Sequence, residues 1–148
     1  MSDQVGMHRL MASDPDDAKA AWSAFVRSAG KSVTVSAAMV ERLRKSLETG
    51  EMIGFRFAVG PDDEIGVALS MIREDVILGR RELIIYAAAS LRKINNTEWA
   101  GCFERINEYA AAVGCDHISY YTTVPRLFEV GRILGGSETH YISIPVRR

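Results

Sequence analysis

A chain of 148 residues, 47% hydrophobic and 25% charged, has the make-up of one ordinary globular domain. Its formal net charge of -1 gives no electrostatic case for nucleic acid or an anionic membrane surface as a partner. No apolar run approaches the roughly 20 residues of a membrane span, and the opening MSDQVGMHRL lacks the basic stretch and apolar core of a secretory signal, so cytoplasmic synthesis is expected.

Residues 5–11 alternate as a short strand, with Met7 and Arg9 on one face and His8 and Leu10 on the other. Asp14-Pro15 then starts a helix, with Asp16 and Asp17 in its first turn. Ala18, Ala21, Trp22, Phe25, Val26 and Ala29 form its apolar stripe and Gly30 its stop. A second helix is expected from Ser36, with Val40, Leu43 and Leu47 inward and Gly50 as its end. From residue 51 the period becomes strand-like: residues 52–59, a turn at 60–63 and residues 65–72 read as a hairpin, and residues 75–80 make a second reversal.

The stretch from residue 81 to 114 organises the rest. Residues 83–89 are a nearly unbroken apolar run, as expected for a strand covered on both faces. The loop Arg92-Lys93-Ile94-Asn95-Asn96-Thr97 opens a helix whose residues Trp99, Cys102, Phe103, Ile106, Ala110 and Val113 share one face. Asn95 and Glu98 have capping-box spacing, and Gly114 supplies the stop. A strand running into a helix start is a natural anion site, because backbone amides and the helix dipole both favour negative charge there. Residues 117–122 form the next strand, with Ile118, Tyr120 and Thr122 on one face and His117, Ser119 and Tyr121 on the other. A short helix from Pro125 carries Leu127, Phe128, Val130 and Leu134 and ends at Gly135-Gly136; residues 139–146 are the last strand, with His140, Ile142, Ile144 and Val146 on one face. Trp22, Phe25, Trp99, Phe103, Ile106, Ile118 and Phe128 are the expected core. The strand around residues 84–88 should be central and parallel to residues 117–122, joined by a right-handed crossover.

The order β-α-α-β-β-β-α-β-α-β resembles the GNAT N-acetyltransferases over nearly the whole chain. The resemblance implies a single α/β domain, with a mixed sheet and helices on both faces. In that family the central strand, loop and helix hold the pyrophosphate of acetyl-coenzyme A through a Gln/Arg-x-x-Gly-x-Gly/Ala loop. Here the loop falls on Arg92 to Thr97, with Asn95 and Thr97 in place of the glycines. Glycine lets backbone approach phosphate closely, and the β-branched Thr97 obstructs that approach. The cofactor contacts implied are Ala88, Ser90, Arg92, Lys93, Asn95, Asn96 and Thr97, with the acyl chain between the central strand and residues 117–122. The backbone of residues 87–90 would then polarise the thioester carbonyl. The family's acidic Tyr, on the helix before the last strand, corresponds to Arg132, which stays protonated and is a poor general acid. Tyr120 and Tyr121, on the strand after the central helix, could supply a phenol instead, and Glu82 and Glu74 are the nearby carboxylates, so Tyr120, Tyr121 and Glu82 are the catalytic candidates.

A narrower resemblance is to small GNAT-like proteins of tailed bacteriophages, some encoded among virion genes. It is carried by Val113-Gly114-Cys115-Asp116-His117, a helix ending in Gly-Cys before the next strand. It implies a virion-associated role, with other protein chains as partners, either phage structural proteins or copies of itself. Elsewhere the residues give little chemistry: Cys102 and Cys115 have no CxxC pairing, and His8, His117 and His140 are dispersed, so no metal set is read. Two functions follow. The leading one is a GNAT-fold structural or binding protein whose degenerate loop leaves no cofactor expected. The alternative is an acetyl-coenzyme A-dependent N-acetyltransferase acting on an amine.

Overall fold

The computed structural model describes residues 4–29, 34–122, 125–139 and 142–147. The elements are β1 (Val5–Arg9), α1 (Pro15–Ala29), α2 (Ala37–Thr49), β2 (Ile53–Val59), β3 (Asp63–Asp75), β4 (Arg80–Ser90), α3 (Asn96–Ala112), β5 (His117–Tyr120) and α4 (Pro125–Ile133). The strands form one sheet in the order β1-β2-β3-β4-β5. Its first three pairings are antiparallel, while β4 and β5 run parallel, as expected of a strand–helix–strand crossover. No helix among the described residues is long and apolar enough to cross a membrane.

Helices cover both faces, and each face has its own core. On one side α3 lays Cys102, Ile106 and Ala110 over Phe55, Phe57, Ile65 and Leu83. On the other, Ala21 and Ala24 of α1 and Leu47 of α2 meet Leu10, Val67, Leu69 and Ala87. Gly101 lets α3 approach β1 closely, since a Cβ there would stand 2.7 Å from Cγ2 of Val5.

Local signals place the helix ends. The Asp14 carboxylate accepts from the Asp16 amide (2.9 Å), Ser36 caps α2 through the Met39 amide, and Gly50 at φ 84° ends it. The capping box of α3 is complete: Asn95 Oδ1 accepts from the Glu98 amide (2.8 Å) and Glu98 Oε1 from the Asn95 amide (3.0 Å). Ile94 before the box and Trp99 beyond it enter the same core, the placement of a hydrophobic staple.

Four expectations need correction. Residues 142–147 form no strand, and Ile142, Ile144 and Val146 are exposed; His140 and Tyr141 of that expected strand lie outside the described residues, as does Gly30. Val40 is exposed, because α2 reaches the core mainly through Leu47 near its end. Of the expected core, Phe103 and Ile106 are buried, while Trp22, Phe25, Trp99 and Ile118 are only half-buried. Phe128 and Leu134 are exposed because α4 buries no residue fully, and Leu134 lies past its end.

Candidate functional site

Strands β4 and β5 pair from Glu82↔His117 to Ile85↔Tyr120, and the remaining five residues of β4, 86–90, run on without β5. Opposite this point the β3–β4 register shifts between Leu69 and Ser70, leaving Tyr86 as the extra residue of a bulge. Tyr86 stacks on Phe25 of α1 (6.2 Å between centroids, 6° between planes), and Phe25 in turn meets Trp22 at 5.5 Å. The end of this parallel pairing is where the resemblance places the acyl chain.

The Ala88 backbone beyond that point is already engaged. Ser28, in the last turn of α1, donates its hydroxyl to the Ala88 carbonyl (2.9 Å) and accepts from the Ala88 amide (3.0 Å). These are among the groups expected to polarise a thioester. Ser90 sits at the end of the strand, paired with Gly66.

The loop beyond is organised by charge. The Arg92 guanidinium lies between two carboxylates, reaching Asp63 at 2.9 and 2.7 Å and Glu98 at 3.0 and 2.5 Å, and it also donates to the Lys93 carbonyl. Hydrogen bonds from Arg92 hold both carboxyls below their ordinary values, and those carboxylates raise the guanidinium in turn. Glu98 also occupies the capping box, so it and Asn95 take two of the amides an anion would use at this helix start. Lys93, Asn95, Asn96 and Thr97 are exposed, and Arg126 of α4 donates to the Asn96 side chain at 2.6 Å. The cofactor residues of the sequence reading are therefore brought together, but their one matched motif residue faces protein carboxylates.

The catalytic candidates stand apart. Tyr120 lies under α4, donating to the Leu127 carbonyl at 2.6 Å, and burial raises its pKa. Glu82 accepts from Ser119 and from Arg73 (2.9 Å), six residues along β4 from Ala88, a separation of about 20 Å. The Ser119 hydroxyl, foremost, holds the Glu82 carboxyl below its ordinary value. Ser119→Ala is accordingly expected to raise the Glu82 pKa towards 4.5, which carboxyl NMR titration would read. Tyr121 hydrogen-bonds to Arg73 on the same sheet face, and Glu74 pairs with Arg81. Arg132, in the position of the family's acid, pairs with Glu138. Burial pushes the Cys102 thiol up to about 12, which makes it a packing residue. No cluster of three metal-ligating side chains occurs among the described residues.

Sequence reading missed Asp63, Ser28 and Arg126. They lie 29, 60 and 30 residues from the atoms they contact, and no local pattern ties them to the loop.

No family model matches the chain, and no curated protein matches it in sequence. Solved structures do match in shape. An aminoglycoside acetyltransferase from an uncultured soil metagenomic sample, solved with sisomicin, superposes with a TM-score of 0.73 at 14% identity, over 97% of this chain and 96% of that one. An aminoglycoside N-acetyltransferase solved with coenzyme A gives 0.68 at 15% identity, over 100% of this chain and 97% of that one. A predicted acetyltransferase of Clostridium acetobutylicum, solved with acetyl-coenzyme A, gives 0.69 at 10% identity, over 95% and 96%. At such identities the likeness is one of architecture, and the architecture of this chain is the GNAT acetyltransferase fold.

Proposed function

We propose that this chain uses the acetyltransferase fold without its acyl donor, as a structural or binding module that engages other protein chains. The observation that carries this reading is the Arg92 clamp. A pyrophosphate at the start of α3 would find the Arg92 guanidinium already paired with Asp63 and Glu98, two like charges beside its own. To bind there it would have to displace four short charge-assisted hydrogen bonds. Ser28 adds to this by satisfying Ala88 from within the protein. A place in a phage particle, with phage structural proteins as partners, is the specific form of this reading, and it rests on the Gly114-Cys115 segment.

A second reading is favoured by the end of the β4–β5 pairing at Ile85 and Tyr120, with the Trp22–Phe25–Tyr86 aromatics beside the unpaired part of β4. The chain would then be an acetyl-coenzyme A-dependent N-acetyltransferase whose amine attacks once deprotonated and positioned, without Glu82 as its base. Isothermal calorimetry with acetyl-coenzyme A separates the two. The module is expected to give no saturable heat at micromolar protein, whereas binding with a micromolar Kd would establish the enzyme reading.

A further inference from the structure

The hairpin between β3 and β4 ends in Val76, Ile77 and Leu78, which are 90, 96 and 69% exposed. The turn does not need them. Asp75 Oδ1 accepts from the amides of Ile77 (3.1 Å) and Leu78 (3.0 Å), and Gly79 at φ 62° reverses the chain. Turn chemistry is complete in the flanking residues, and three aliphatic side chains are held out where polar residues are usual. About 400 Å² of apolar surface is presented in this way, a patch of the size that marks an interaction site.

At the opposite end of the same two strands lies an open groove of about 220 Å³ between α1 and the sheet. Its floor is Ala20, Ala24, Val67, Ala89 and Leu91, and its rim carries Asp16, Lys19 and Ser23. That volume is below the roughly 300–1,000 Å³ of sites for drug-sized molecules and suits one or two aliphatic side chains. The neighbouring cavity, lined by Arg9, Asp17, Arg56 and Glu64, is charged and does not. Tip and groove stand roughly 35 Å apart along β4, so neither serves the other within one chain.

We propose that the hairpin tip of one copy seats in the α1 groove of the next, joining copies head to tail. Charges beside the two surfaces match. Arg80, at the base of the tip, donates to the His117 ring (3.1 Å) and makes no ion pair among the described residues. Beside the groove, Asp17 and Glu64 hold Arg56, while Asp16 makes no ion pair among the described residues. An unpaired cation at the tip therefore meets an unpaired carboxylate at the groove, whereas a tip-to-tip contact would set Arg80 against Arg80. The contact is heterologous: each joined pair keeps one free tip and one free groove, so copies add until a ring closes or a filament extends. One contact buries about 800 Å² in total, short of the roughly 1,200–2,000 Å² of stable interfaces, which places its Kd on the order of 100 µM. Neither Arg92 nor Glu82 takes part, so this self-association goes beyond the functional reading and holds equally for a module or an enzyme.

Sedimentation velocity of the full chain from about 10 to about 500 µM tests it, and the weight-average mass is expected to rise across that range. Ile77→Asp charges the tip and Ser23→Arg obstructs the groove; each is expected to weaken association at least about tenfold. Both positions are exposed, so circular dichroism and melting temperature should stay at wild-type values. The two variants mixed in equal amounts are the decisive sample. One retains the groove and the other the tip, so the mixture should form dimers at the wild-type affinity and nothing larger. A wild-type chain that stays monomeric at about 500 µM would overturn the proposal. So would unchanged association of either variant alone, or a mixture that remains monomeric.

Discussion

Leu83→Ala is expected to lower the unfolding free energy by about 3 kcal/mol, and the melting temperature by about 10 °C. Leu83 is 0% exposed, lies on the strand that pairs along both edges, and faces the core beneath α3. Both of its neighbouring strands are held by long backbone ladders or by α3, so the cavity has little means of collapsing. Loss of methyl groups is then compounded by the cost of the void. The matched control is Ile133→Ala on α4, a residue 76% exposed, which should change stability by less than about 0.5 kcal/mol. Paired denaturant titrations measure both, and equal effects would show that the burial pattern of the sheet is wrong.

The double substitution Asp63→Asn with Glu98→Gln is expected to convert the start of α3 into an anion site. Glutamine keeps the side-chain acceptor of the capping box, so the helix start survives while two negative charges leave. Arg92 then faces neutral amides, and pyrophosphate should bind at least about tenfold more tightly than to the wild type, with an affinity that falls as salt is added. Calorimetry with inorganic pyrophosphate reads this without requiring the rest of a coenzyme pocket.

The same variant carries a pH signature. Arg92 holds Asp63 and Glu98 below their ordinary values of 3.8 and 4.5, so each folded-state pKa lies under its unfolded counterpart. Their contribution to stability is present above the unfolded values and is lost as the pH falls through the folded ones. Acid melts of the wild type should therefore steepen below about pH 4.5 relative to the double variant. Parallel curves would show that the clamp does not persist in solution.

What could be read from sequence divides by the range of the cause. The α3 cap was legible because Asn95 and Glu98 lie three residues apart and carry their own chemistry. The parallel step from β4 to β5 was legible because an apolar run, a helical stripe and a second strand follow in order. The last strand was misread because a period of two shows only that a segment is able to pair; the presence of a neighbouring edge is a fact about the rest of the molecule. The loop's sequence marks Arg92 as a phosphate contact and gives no sign of its carboxylate partner Asp63, which reaches it from the β2–β3 hairpin. Ser28 was invisible for the same reason, being an ordinary residue near a helix end whose partner lies in the middle of the sheet.

Glu98 also constrains the order in which changes can be accepted. On the reading proposed above, Glu98 both completes the α3 cap and opposes phosphate, so its conversion to alanine removes the opposition and half of the cap together. On that reading, substituting glycine at Asn95 first would strip the reciprocal half of the cap with Glu98 and Asp63 still opposing the ligand, a step with a cost and no return. Changing Asp63 first breaks no helix contact and lowers the barrier to every later step. On that reading, a return to coenzyme binding would begin at Asp63 in the β2–β3 hairpin, a segment that the loop's own sequence would never bring under suspicion.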